Sequence, residues 1–139
     1  MRELLDELAA VVAELRGLGV RAEAVPADLF DLGQTNSLID RSEAALGPLD
    51  GLVNNTGVES AAAFTEYTRE ELTSMVDLNL TAPLLLTLRV VPGMLERARG
   101  HVVFIASVAG KPGPAYQLMG VTTSRSEPGE GCVRECGCR

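Results

Sequence analysis

Few polar residues in this chain could do chemistry. Lys111 is its only lysine, so any mechanism that needs one must use Lys111 or do without. Tyr116 follows in the same stretch, but a phenol with an unperturbed pKa near ~10 is a poor base at neutral pH. Ser107 ends an apolar run, a commonplace position for a serine. Asn79 sits inside a long helical stretch, and Asn is a poor helix former. That misfit favours a functional role, although a solvent-facing Asn costs little. Asp28 can be a simple turn or cap residue. Asn54 and Asn55 can satisfy neighbouring backbone groups, and Gly57 permits close backbone approach. Cys132, Cys136 and Cys138 crowd into the tail, with His101 as a distant fourth ligand. Zinc can use three thiolates, but this spacing matches no common zinc module. An odd count confined to a tail is no disulfide framework either.

The positioning elements come from a chain of 139 residues, long enough for one domain at most. Apolar residues at 46% and charged residues at 22% match an ordinary soluble protein. A net charge of −7 argues against nucleic acid or anionic membranes as partners. The N-terminal segment carries Glu3, Asp6, Glu7 and Glu14, which a secretory signal would not. The longest apolar stretch, Ala82 to Leu88, contains Thr87 and ends at Arg89, short of the ~20 apolar residues that span a bilayer. A cytoplasmic protein is expected.

Residues 3–18 place Leu4, Leu5, Leu8, Val12, Leu15 and Leu18 at helical spacing, and Gly17 and Gly19 end the segment. Residues 20–27 read as a strand leading into a turn. A second amphipathic helix is expected over 34–46, a short buried strand over 51–55, and one long helix over 68–98. Thr68 is a natural N-cap for that helix, with Glu70 and Glu71 in the first turn, and Pro83 should kink it. The run 101–107 is a strong strand. Helices alternating with strands imply a parallel sheet covered by helices. From about residue 117 the pattern stops; residues 117–139 read as a disordered tail, of the kind a shifted reading frame would produce.

Four landmarks carry a resemblance. LDGLVNNTGV (49–58) is close to the LVNNAGV signature of the short-chain dehydrogenases/reductases. MVDLNLTAPLLLT (75–87) resembles that family's long helix with its active-site Asn, here Asn79. HVVFIASVAGKPG (101–113) resembles the strand that ends in the catalytic Ser, here Ser107. PADL (26–29) matches a weaker landmark, an Asp after the third strand. The resemblance covers roughly residues 3–116 and implies an α/β fold, a partial Rossmann-type doubly wound sheet keeping the third (20–27), fourth (51–55) and fifth (101–107) strands. With strand order 3-2-1-4-5-6 the fourth and fifth should pair in parallel, and the third should lie apart from them. A marginal, aggregation-prone monomer is the consequence.

The resemblance also implies chemistry. The family transfers a hydride between NAD or NADP and an alcohol or carbonyl, so the implied substrate is a small molecule. Asp28 would bond the adenine amino group, with Leu29 beside it, and Asn55, Thr56 and Gly57 would run along the adenosine. Asn79, Ser107 and Tyr116 would be the catalytic set. Here the match breaks. Tyr116 is nearer to Ser107 than the family's Tyr is to its Ser, and Gly120 stands where the family's Lys follows. Setting MGVTT (119–123) on the family's Y-G-A-T-K restores the spacing but puts Met119 for Tyr and Thr123 for Lys. The family's phosphate-binding T-G-x-x-x-G-x-G run is not found. The chain therefore reads as truncated at its front and impaired as a catalyst. The alternative is a non-catalytic fragment that binds a partner, or a second copy, through the 68–98 helix.

Overall fold

The computed structural model describes residues 2–60, 62 and 64–106. Ser107, Lys111, Tyr116, both registers of the Tyr/Lys motif, the cysteines and the expected disordered tail lie outside the described residues.

Helix α1 (Arg2–Gly17) closes into a turn at Gly19, whose φ of +81° suits a residue without a side chain. Beyond it the expected strand over 20–27 is not formed. The backbone groups there meet side chains instead of a ladder. Arg16 Nε donates to the Ala22 carbonyl at 3.0 Å and the Arg41 guanidinium donates to the Pro26 carbonyl at 2.5 Å. Arg21 reaches out to the Leu46 carbonyl at 2.6 Å. A strand requires a neighbour for its bonds, and among the described residues none lies beside this segment.

Helix α2 (Leu32–Leu46) starts earlier than its apolar period suggests, because Asp31 caps it. The carboxylate accepts from Gly33 N at 2.9 Å and Gln34 N at 3.3 Å, and the Gln34 amide reaches its second oxygen at 3.0 Å. The helix ends at Gly47, with φ of +93°. Strand β1 (Gly51–Asn54) then pairs in parallel with β2 (His101–Phe104), in the register Gly51↔His101 to Asn54↔Phe104. Both strands are shorter than expected, but their parallel pairing is the expected one. A 3₁₀ turn (Phe64–Glu66) leads into the long helix.

That helix is continuous from 69 to 96 but not uniform. It runs as α3 (Arg69–Val76), a π turn (Asp77–Thr81) and α4 (Ala82–Glu96). Thr68 and Glu71 form a reciprocal capping box at its start, as expected of Thr68. The irregularity forced by Pro83 takes the form of the π turn, in which Ala82 N–H bonds to the Asp77 carbonyl. A proline has no N–H to give, and its ring crowds the carbonyl four residues back, that of Asn79. The wide turn sits where that crowding falls.

One face of α4 makes the core. Leu86, Val90 and Met94 are buried with Ile39 of α2, and Leu38, Leu49, Leu52, Val91 and Val102 pack against them. Each such side chain contributes about 1.5–3 kcal/mol on burial. By length and composition the helix 69–96 could cross a membrane, which a search for unbroken apolar runs does not catch. Its buried residues, packed on α2 and β1, make it a core helix. At the far end Asp50 pairs with Arg99 at 2.9 Å, and Arg97 donates to the Leu49 carbonyl at 2.8 Å, fastening α4 to the start of β1.

Two predictions follow from the helix ends. Arg99 N bonds to Met94 O and Ala98 N to Leu95 O, a Schellman closure that puts Ala98 at φ of +50°. An alanine there is strained by about 1 kcal/mol. Ala98→Gly is expected to raise the thermal midpoint by a few degrees. Second, the bonds from Thr68 hold the Glu71 carboxyl below its ordinary pKa. A lowered folded-state pKa means stability that is present above the ordinary carboxylate range and is lost as pH falls through the lowered value. Denaturant titrations at a series of pH values should show Glu71→Gln flattening the acid limb of the stability profile.

Candidate functional site

The carboxyl end of β1 is where the polar landmarks meet. Asn54, the strand's last residue, is 8% exposed. Its carbonyl accepts from Ile105 N at 2.9 Å, and its Nδ2 donates to Thr87 Oγ1 at a long 3.5 Å. The Thr87 hydroxyl donates in turn to the Pro83 carbonyl at 2.8 Å. The chain then leaves the sheet through Asn55, Thr56 and Gly57, all exposed.

The strip is caught again at Val58. Asn79 Oδ1 accepts from Val58 N at 2.9 Å, and Asn79 Nδ2 donates to Val58 O at 2.9 Å. One carboxamide thus pairs with both backbone groups of one residue, as a neighbouring strand would. Asn79 lies inside the π turn, a helix irregularity that recurs at functional sites. A Cβ at Gly57 would stand 3.1 Å from Asn79 Oδ1, so the carboxamide would have to give way by a few tenths of an ångström.

Asp28 and Leu29 belong to the turn that starts α2. Asp28 Oδ1 accepts from Phe30 N at 3.0 Å, its N–H donates to Gln34 Oε1 at 3.1 Å, and its carbonyl accepts from Asp31 N at 3.1 Å. The Leu29 carbonyl accepts from the Thr35 hydroxyl at 3.5 Å. Asp28 does the work of a turn residue, and its carboxylate stays exposed. Of the expected site residues, the structure brings together Asn55, Thr56, Gly57 and Asn79. Sequence reading missed Val58 and Thr87. Thr87 lies two helical turns beyond Asn79 and so on much the same face, a spacing that could have marked it.

No charged side chain lies in the strip 54–58. Its exposed backbone and amide groups suit a flat, uncharged group laid along it. Among the described residues, no group of three or more His, Cys, Asp or Glu is placed to hold a metal.

Parallel strands packed under helices, with a polar strip beyond the strands' carboxyl ends, place the chain in the α/β class, in which ligands bind at such strand ends. The family described as short chain dehydrogenase matches residues 1–119. The ketoacyl reductase HetN of Nostoc is 37% identical over 109 residues, covering 78% of this chain and 38% of that protein. The 5-keto-D-gluconate 5-reductase of Escherichia coli K12 is 31% identical over 102 residues, covering 73% of this chain and 40% of that one. A 3-oxoacyl (acyl-carrier-protein) reductase from Agrobacterium tumefaciens, solved with NADP bound, superposes with a TM-score of 0.76 at 28% identity, over 82% of this chain and 44% of that one. A metagenomic short-chain oxidoreductase in complex with NADP gives 0.76 at 32%, over 84% and 53%. The chain belongs to the short-chain dehydrogenase family. It spans about two fifths of the length of the first two relatives.

Asn79→Ala removes both bonds to Val58, leaving the bond from the Tyr67 hydroxyl to the Ser60 carbonyl as the next tether. The expected cost is about 1–2 kcal/mol, read as a lower midpoint in denaturant unfolding. An unchanged midpoint would mean that the pairing contributes nothing.

Proposed function

We propose that the protein is an NAD(P)-dependent oxidoreductase lineage member that moves a hydride between a nicotinamide and a small alcohol or carbonyl compound. The observation that carries this reading is the exposed strip Asn55–Gly57 at the carboxyl end of β1, held by Asn79 from within a family-matched helix. Relatives named as ketoacyl and keto-sugar-acid reductases support a carbonyl substrate. Solved relatives with NADP support the cofactor.

In this reading Asn55, Thr56 and Gly57 lie beside the adenosine, and Asp28 and Leu29 flank the adenine. The neutral, exposed strip supports that placement. The cofactor supplies the hydride; the protein supplies proton handling. Ser107 would position the substrate oxygen and Tyr116 would exchange its proton. Residues 1–116 belong to one partial Rossmann-type domain in this reading, and the protein is cytoplasmic.

The 139-residue chain on its own is a weak catalyst in this proposal. Its sequence has no lysine one turn beyond Tyr116 to lower the phenol's pKa, and no glycine-rich phosphate cradle. General acid/base help alone is worth ~10²–10⁴ in rate. Calorimetric titration with NADPH should give a dissociation constant above the low micromolar range, and carbonyl reduction should be undetectable. Turnover abolished by Ser107→Ala would overturn the impairment and uphold the activity.

A second reading, self-association through the long helix, has its own support. Val76, Leu80, Leu84 and Leu88 are exposed apolar residues at one-turn spacing, distributed evenly about Ala82. Two copies crossed antiparallel through the exposed stripe, midway between Leu80 and Leu84, would match it to itself, as a two-fold contact requires. Light scattering should then show a dimer that Leu84→Glu dissociates; a monomeric unsubstituted chain would overturn this reading.

A further inference from the structure

We propose that Thr87 is a positioning residue for the strip Asn55–Gly57, and that with Asn79 it turns the long helix into a two-point clamp for that strip. The proposal rests on the reading of the strip as a cofactor contact only for its use, not for its geometry.

The strip is held at both ends by the same helix. At one end Asn79 takes both backbone groups of Val58 at 2.9 Å. At the other, Thr87 Oγ1 receives Asn54 Nδ2 at 3.5 Å. The hydroxyl proton of Thr87 is committed to the Pro83 carbonyl at 2.8 Å, which turns an oxygen lone pair toward Asn54. Asn54 is buried at 8% exposure, so its amide has little access to water as a substitute. Its main chain is fixed separately by Ile105. Thr87 therefore sets the direction in which the chain leaves the sheet.

The lengths match. From Asn79 to Thr87 the helix advances about 12 Å, at ~1.5 Å per residue. From Asn54 to Val58 an extended chain reaches at most about 14 Å. The strip is thus fixed near both ends by one helix, with its three exposed residues between the anchors. A segment fixed at both ends has lost part of the freedom that a ligand would otherwise have to freeze. In the proposed reading that ligand is the adenosine of the cofactor.

The test uses the full chain and four variants. Thr87→Val keeps the shape and removes the hydroxyl, Thr87→Ser keeps the hydroxyl, Asn79→Ala releases the other anchor, and Thr87→Val combined with Asn79→Ala releases both. Amide hydrogen exchange is followed at Val58, whose N–H bonds to Asn79, with His101, whose N–H bonds to the Asp50 carbonyl, as the reference in the strand pair. Thr87→Val is expected to speed exchange in the strip about three- to tenfold, the worth of one hydrogen bond in an opening equilibrium, while the strand pair stays unchanged. Thr87→Ser should restore the original rates. The double variant should differ from the sum of its single changes, because both anchors act on one strap. Unchanged exchange in Thr87→Val, equal acceleration in strip and strands, or failure of Ser to restore it would each overturn the proposal. NADPH titration of the same proteins separates the two claims. A weak affinity that falls further in Thr87→Val and returns in Thr87→Ser supports clamp and cofactor together. No binding to any form, with the exchange pattern intact, overturns the cofactor reading and leaves the clamp standing.

Discussion

Two parallel strands cannot hold together on their own backbone bonds, because a short ladder leaves both outer edges and both faces to water. In this chain the pair β1–β2 persists because α4 covers it. Val90 is 2% exposed and Met94 5%, and between them they seat Ile39 of α2 and the strand residues Leu52 and Val102. Remove that apolar face and the helix, the strands and α2 have no common contact. Gly100 shows how closely the return to β2 is drawn in: a Cβ there would sit 2.4 Å from Met94. The ion pairs from Asp50 to Arg97 and Arg99 are largely exposed and add little to this by themselves. They choose where the helix ends relative to the strand.

The same helix carries the site as well as the core. Leu86, Val90 and Met94 of α4 are in the core, and Thr87 between them meets Asn54. The residue that grips the strip, Asn79, belongs to the π turn before it. A regular α-helix would present Asn79 on a fixed rotation relative to Leu86 and Val90. The wider turn inserts an extra step in that rotation, so Asn79 can face Val58 while α4 keeps its buried stripe. Pro83 marks the boundary between the two parts. It is buried, its carbonyl serves the Thr87 hydroxyl, and its missing N–H removes the bond that would have kept the turn α-helical.

Much of this was legible in the sequence. The apolar period showed the three helices, the β-branched run at 101–104 showed a strand, and Thr68 with Glu71 showed where the long helix starts. The landmarks around Asn54–Gly57 and Asn79 showed the family and two of the elements that meet at the site. The sequence did not show the direction of Asn79. As an amide in mid-helix it reads as a catalytic group or a surface residue; its pairing with Val58 depends on a loop 21 residues away in the chain. Thr87 was hidden for a similar reason. Inside an apolar run it looks like an interruption, and only the folded strand brings Asn54 to it. Asp28 went the other way: its landmark suggests adenine, while its bonds are those of a turn.

The segment 20–27 shows why helices were read more securely than strands. Its alternating valines and alanines suit a strand, yet no ladder forms there. Helix α1 faces the same lack of neighbours. Leu5, Val11, Leu15 and Leu18 remain 40–74% exposed, so burial does little to support it. It is helical all the same, because each turn supplies the bonding partners of the next and its Leu, Ala, Glu and Arg residues favour that geometry. A strand has no such local supply. Its donors and acceptors look outward for a partner, and here Ala22 and Pro26 find theirs in the Arg16 and Arg41 side chains. Both guanidiniums come from flanking helices that form without the sheet. The segment is thus tied to α1 and α2 by these two side chains, and among the described residues its strand-like sequence has no strand neighbour.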